Sequence, residues 1–273
     1  MYFKEMPSEK RTVPIEDIGM VLVENQMVSF SIPLLNKLAD NNVAVVFCNQ
    51  KGMPSSMLLN LDCNSAQGEV LRNQLAATEP LKKQLWKQVV EAKIRNQSLL
   101  LTKLGKEGNK LKPYYSNVKS GDSDNREGAA ARIYWWELFG RDFVRDRKAD
   151  GINVLLNYGY TVLRAAVARA LVSSGLFPAI GIFHRDRGNA FPLADDMMEP
   201  YRPYVDEIVY DLSERGETEL DKETKAALIN LLYCDTCFAK VTRPLSIGLA
   251  MTMASLAKCY AKDATKLQLP QMK

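Results

Sequence analysis

The 273-residue chain is 47% apolar and 25% charged, with a formal net charge of +4. That composition excludes a disordered or collagen-like polymer, and its 15 Gly and 12 Pro are dispersed rather than concentrated. No uncharged apolar run approaches the roughly 20 residues of a membrane span, and the first residues carry no apolar signal segment, so a cytoplasmic protein is expected.

In chain order, residues 1–66 read as a small β-rich domain. Met20–Val23 and residues 43–47 are Val-rich runs of strand length, and residues 57–61 follow the turn-like Lys51-Gly52-Met53-Pro54. Between the first two runs, Ser31 and Pro33 open a helix that Asn41-Asn42 should end.

From residue 67 the texture becomes helical, giving an α+β chain with a larger all-α domain over 67–273. Thr78-Glu79-Pro80 opens a long helix whose apolar face carries Leu81, Leu85, Val89 and Ala92. Residues 105–125 read as polar loop, 125–139 and 152–174 as helices, and 176–192 as irregular chain. Helical patterns return at 194–199, 204–212, 222–237 and 245–260, and residues 265–273 look like a loose tail.

Five cysteines form no disulfide framework. Cys234 and Cys237 make a C-x-x-C inside a helix-like run, read as small buried hydrophobes with no metal or redox role. The single histidine, His184, excludes HExxH zincins, three-His zinc sites and two-His facial triads.

Residues 81–120 hold ten Lys/Arg against Glu91 and Glu107, a net +8 in a chain that sums to +4. A solvated helix face is the usual explanation of a lysine run. Forty residues at this imbalance, with Trp86, Tyr114 and Tyr115 interleaved, point instead to a polyanion such as DNA.

Three segments look like chemistry. Asn125-Arg126-Glu127-Gly128-Ala129-Ala130-Ala131-Arg132 places a carboxylate on the first turn of a helix, followed by small residues. The run from Leu176 to Phe183 delivers His184 to an irregular loop. In Ala194-Asp195-Asp196-Met197-Met198-Glu199-Pro200, Asp196 and Glu199 share a helical face. Singly, each has a plainer explanation: a dipole-complementing glutamate, a core histidine, capping aspartates. Together, one imidazole and two or three carboxylates make a ligand set for Mg²⁺ or Mn²⁺ with positions left for water and phosphate.

These segments carry a family resemblance. Residues 126–135, Asn153-Val154-Leu155-Leu156-Asn157-Tyr158-Gly159-Tyr160, Gly181-Ile182-Phe183-His184 and Asp196-Met197-Met198-Glu199-Pro200-Tyr201-Arg202-Pro203 resemble the CRISPR-associated Cas1 integrases. The likeness runs from about residue 10 to about 262, with the N-terminal part resembling the type II branch. The resemblance implies metal ligands at Glu127, His184 and Glu199, with Asp196, Asn153, Tyr158 and Arg202 in support. The basic segment and its neighbours supply the candidate DNA contacts, namely Lys82, Lys83, Lys87, Lys103, Lys106, Lys110, Arg126 and Arg132.

The implied activity is a metal-dependent endonuclease and integrase that inserts prespacer DNA into CRISPR repeats by 3′-hydroxyl transesterification. The implied assembly is a homodimer, two of which flank a dimer of Cas2 in a heterohexamer on double-stranded DNA. A catalytically weak DNA-binding scaffold of the same complex and a small-phosphoester hydrolase are the alternatives. One departure stands out: the family's first β-hairpin is missing or replaced by residues 1–10. The sheet is then expected to expose an edge near residues 11–14 or 20–23, with weakened dimerisation.

Overall fold

A computed structural model describes residues 12–60, 63–239 and 241–273. The N-terminal hairpin question therefore falls on residues outside the described ones.

The first layer is a β–α–β unit followed by a hairpin strand. β1 (Met20–Val23) pairs in parallel with β2 (Ala44–Cys48), and β2 pairs antiparallel with β3 (Pro54–Leu58). Helix α1 (Ile32–Asp40) makes the crossover; the Ser31 hydroxyl accepts from Leu34 N and starts it. Alternation sorts the side chains. Val21, Val23, Phe47 and Leu58 close on Leu38, Val43 and Val45, while Met20, Leu22 and Met57 lean on the helical core. Among the described residues β1 is an edge strand, and Thr12–Pro14 forms no strand but leads into a 3₁₀ turn at Ile15–Asp17.

The helical part begins with α2 (Gln67–Leu75) and is organised around α3 (Glu79–Lys103). The polar stretch read as loop contains helical turns at Gly108–Leu111, Ser120–Asp122 and a short α4 (Lys112–Tyr115). Then follow α5 (Arg126–Phe139), α6 (Ile152–Ser173), α7 (Pro192–Met198), α8 (Arg202–Glu214) and α9 (Lys222–Ile229). Helix α6 crosses α8 so closely at Gly159 that a Cβ there would lie 2.5 Å from Val205 Cγ1. Only glycine permits that approach.

Two expectations are corrected. The helix expected over 222–237 stops at Ile229, and β4 (Asp235–Phe238) pairs antiparallel with β5 (Val241–Pro244) before α10 (Leu245–Tyr260). The larger part is thus helical with one hairpin among its described residues. Thr236, Phe238, Val241 and Thr242 suit a pleated pair, and the Thr236 hydroxyl ties the strands by donating to Arg243 O. Cys234 and Cys237 therefore lie on extended chain; burial pushes the Cys234 thiol up to about 12, which leaves it unreactive.

The expected loose tail is docked. Leu267 and Met272 are buried, Gln271 N donates to Cys237 O, and Asn96 on α3 uses its whole amide. That amide donates to Pro200 O (2.8 Å) and Pro270 O (3.1 Å) and accepts from Met272 N. A buried amide with both donors and its carbonyl oxygen engaged ties the segment to α3. No described helix is long and apolar enough to cross a membrane.

Candidate active site

Glu127 is set by the start of α5. Asn125, in the left-handed region at φ 52°, caps Gly128 N with its side chain, and the Asp122 carboxylate accepts from Arg126 N (2.8 Å) and Glu127 N (3.1 Å). Glu199 sits where α7 passes through a 3₁₀ turn, Glu199–Tyr201, into α8, and is only 3% exposed. The two carboxylates meet at one atom. Lys93 Nζ, on α3, lies 2.5 Å from Glu127 Oε1 and 2.5 Å from Glu199 Oε2.

Lys93 is 8% exposed, so it does not belong to the outer basic surface expected of residues 82–119. Burial works against its charge, but Glu199 and Glu127 outweigh that and hold the ammonium above its ordinary value. Burial likewise opposes charge on Glu199, while Arg202 and Lys93 hold its carboxyl below the usual range. Arg202 Nη2 reaches Glu199 Oε1 at 2.9 Å, and its guanidinium lies 4.6 Å from the Tyr160 ring centre.

Behind Arg202, the buried Asp206 accepts hydrogen bonds from Tyr134 (2.7 Å) and Tyr160. Burial pushes Asp206 up to about 6, although both phenols and Arg202 pull the other way. Its folded form therefore binds a proton more tightly than the unfolded chain does. The contribution of Asp206 to stability should fall as the pH rises from about 4 to 6, by up to about 3 kcal/mol for a shift of roughly two pH units. In Asp206→Asn that slope is absent. Urea unfolding at pH 4.5 and pH 7 should show the variant gaining on wild type with pH; a constant difference contradicts the assignment.

His184 is held by Asp196. The fully buried carboxylate accepts from Ile182 N (2.6 Å), Phe183 N (3.0 Å) and His184 N (3.1 Å), and His184 Nδ1 lies 2.6 Å from Asp196 Oδ1. Gly181 makes this turn possible, because a Cβ would lie 2.4 Å from His184 O. The hydrogen bond to Asp196 raises the imidazole above its ordinary value, against burial. With Nδ1 committed, Nε2 is the ring atom left for a ligand. Trp86 supports the loop, stacking on Phe183 at 4.4 Å and meeting the His184 ring edge-on.

His184 borders a cleft of about 770 Å³ that Arg145, Arg147, Arg164 and Arg202 also line. The supporting candidates divide here. Asn153 accepts from Arg145 Nη1 (2.9 Å) and Asp146 N (3.0 Å) and donates to Val144 O, so it shapes the loop that delivers Arg145. Tyr158 faces elsewhere: it is buried with the Lys225 ammonium 5.9 Å from its ring, and Asn157, Tyr160, Thr161 and Arg164 are what α6 gives the cleft.

Among the described residues no three His, Cys, Asp or Glu side chains lie close enough to hold a metal ion together, and Lys93 stands at the meeting point of the two glutamates. The chemistry of the donors still fits a divalent ion. Two carboxylates already converge on a cation, and an oriented imidazole stands on the adjoining cleft.

The basic segment is less free than its sequence implies. Lys82, Lys87, Lys103 and Lys110 pair with Glu79, Glu91, Glu207 and Glu137 at 3.8, 3.6, 2.7 and 2.7 Å. Lys106 donates to Leu138 O and lies over Tyr210, Arg126 holds Asp124, and Lys83 and Arg132 are exposed. Lys93, Arg145, Arg164 and Asp206 were absent from the sequence reading as site residues.

The family model of the CRISPR associated protein Cas1 matches residues 1–232. The chain belongs to that family. It is 38% identical over 269 residues to the CRISPR-associated endonuclease Cas1 of Neisseria meningitidis serogroup C (strain 8013), covering 97% of this chain and 88% of that protein. The fold is shared with a casposase bound to integration product (TM-score 0.80, 21% identity, 97% of this chain and 86% of that one). A chain of a partial Cas6-RT-Cas1–Cas2 complex shares it too (TM-score 0.68, 20% identity, 99% and 93%).

Proposed function

We propose that this Cas1-family chain is a divalent-metal-dependent DNA endonuclease and integrase that inserts prespacer DNA into CRISPR repeats. The observation that carries the reading is the convergence of Glu127 and Glu199 on one cation position beside the arginine-lined cleft. Glu127, Glu199 and His184 Nε2 would hold Mg²⁺ or Mn²⁺. Such an ion neutralises phosphoryl oxygens and lowers the pKa of an attacking hydroxyl.

The chain's own residues do the rest. Arg145, Arg164 and Arg202 offer planar donors that match phosphate oxygens. Asp196 fixes the His184 tautomer, and Asp206 with its two tyrosines backs Arg202. In the reaction a 3′-hydroxyl attacks a phosphodiester and another 3′-hydroxyl leaves. One P–O bond forms as one breaks, so no nucleotide cofactor is needed.

The assembly we propose is a homodimer, two copies of which flank a Cas2 dimer in a heterohexamer on double-stranded DNA in the cytoplasm. Support comes from the Cas1–Cas2 complex that shares the fold and from exposed apolar side chains beside the small sheet, Met27 (87% exposed) and Ile32 among them.

A second reading, a DNA-binding scaffold without turnover, draws support from the seating of Lys93 between the glutamates. Joining of a labelled duplex to a repeat-bearing plasmid separates the two. Product with Mn²⁺ and none with chelator supports the enzyme; salt-sensitive DNA binding without any product supports the scaffold.

A further inference from the structure

We infer that Lys93 is a built-in counter-cation that holds the metal seat of the site ready, and that a divalent ion enters by exchanging with its ammonium. The inference rests on the metal-dependent reading above and concerns how that seat is kept and filled. Two buried or half-buried carboxylates facing each other repel and splay unless a cation lies between them. Lys93 Nζ supplies that cation, at 2.5 Å from both Glu127 and Glu199.

The position is built. Lys93 lies on the apolar stripe of α3 four residues from Val89 and eight from Leu85, both fully buried, so the helix aims its stem inward. Glu199 is clamped from its other oxygen by Arg202, and the doubly capped start of α5 fixes the backbone from which Glu127 reaches.

Size and charge make the two cations exclusive. A divalent ion binding both carboxylates at roughly 2.0–2.2 Å needs the volume the ammonium fills. With Lys93 seated, Glu127, Glu199, Lys93 and Arg202 sum to zero charge. With a divalent ion in its place the cluster gains one positive charge, which suits it to a phosphate. The four-carbon lysine stem is flexible, and on exchange it would carry the ammonium out of the seat. Metal binding would therefore uncover Lys93.

The test uses the full-length protein and Mn²⁺ alone. Free Mn²⁺ is followed by electron paramagnetic resonance for wild type, Lys93→Met and Lys93→Gln, with Glu127→Gln as the control for location. Acylation of Lys93 in wild type by an amine reagent is followed by mass spectrometry with and without Mn²⁺. We expect at least tenfold tighter Mn²⁺ binding in both Lys93 variants, a lower melting temperature without metal, and recovery of that loss on adding Mn²⁺. Acylation of wild-type Lys93 should rise severalfold with Mn²⁺.

Wild-type Mn²⁺ binding that is lost in Glu127→Gln, but is no tighter in the Lys93 variants, overturns the exchange while leaving the metal reading intact. So does acylation that Mn²⁺ does not change, an outcome that depends on no variant folding. Mn²⁺ binding that survives Glu127→Gln places the ion elsewhere and overturns both readings.

Discussion

Glu199→Gln should cost the protein activity and stability together, whereas Glu127→Gln should cost mainly activity. Glu199 is buried and answers two cations, Lys93 through one oxygen and Arg202 through the other. Neutralising it leaves Lys93 with Glu127 alone and takes from Arg202 the carboxylate it touches, and removing one member of a buried ion pair typically costs about 3–5 kcal/mol. For a chain of this size that is a fall in melting temperature of roughly 5–9 °C. Glu127 is a quarter exposed, and its amide would still accept from Lys93, so water offsets most of the loss. Strand joining should fall about 10²–10⁴-fold in both, the several kcal/mol that a metal ion contributes at a phosphoryl centre. Thermal melts and joining rates on the same preparations read both effects. Equal melting temperatures for the two variants, or joining within a few-fold of wild type in either, would contradict the arrangement.

Asp196→Ala should loosen the His184 loop as a unit. One carboxylate serves three consecutive backbone N–H groups and the imidazole, in a position with no solvent exposure. Each buried donor left without an acceptor costs about 1–3 kcal/mol, so a loss of roughly 4–6 kcal/mol is expected after allowing for relaxation. Asp196→Asn keeps one carbonyl oxygen and should lose about half as much. The imidazole also loses the partner that fixes its tautomer, which typically weakens metal binding about 10–100-fold. Amide hydrogen exchange at Ile182, Phe183 and His184 reports the loop directly. Protection that survives in Asp196→Ala would show that other contacts hold it.

How much of this was readable beforehand depends on whether a signal is local. The start of α5 is written in Asn125 and the small residues after it, and β1 and β2 in their Val runs, because caps and alternation act over a few residues. The hairpin at Asp235–Pro244 was hidden. Its turn at Ala239 carries a positive φ without the Asn-Gly signature, and Cys and Ala beside it suit a helix as well. The docked tail was hidden for another reason: its anchor, Asn96, is 174 and 176 residues away in the chain from the two tail groups it bonds.

Lys93 is the instructive omission. In the count of a basic segment it is one of ten like charges. Its register was the available signal, since a lysine four residues after Val89 and eight after Leu85 falls on the buried stripe, where an unpaired ammonium is too costly to keep. Such a lysine needs carboxylates, and the two candidates that the motifs supplied are the ones it meets. Tyr158 lies off the helical face that Asn157, Tyr160, Thr161 and Arg164 present to the cleft.

The central claim is that the site joins a DNA 3′-hydroxyl to a phosphodiester of the repeat, and the 3′ end tests it most directly. A duplex labelled at its 5′ end is incubated with the protein, the Cas2 partner, Mn²⁺ and a repeat-bearing plasmid, with either a 3′-hydroxyl or a 3′-dideoxy terminus. Labelled plasmid is expected with the hydroxyl end only, abolished by chelator and by Glu127→Gln. Labelled plasmid from the dideoxy end, or product that persists without a divalent ion, would contradict it.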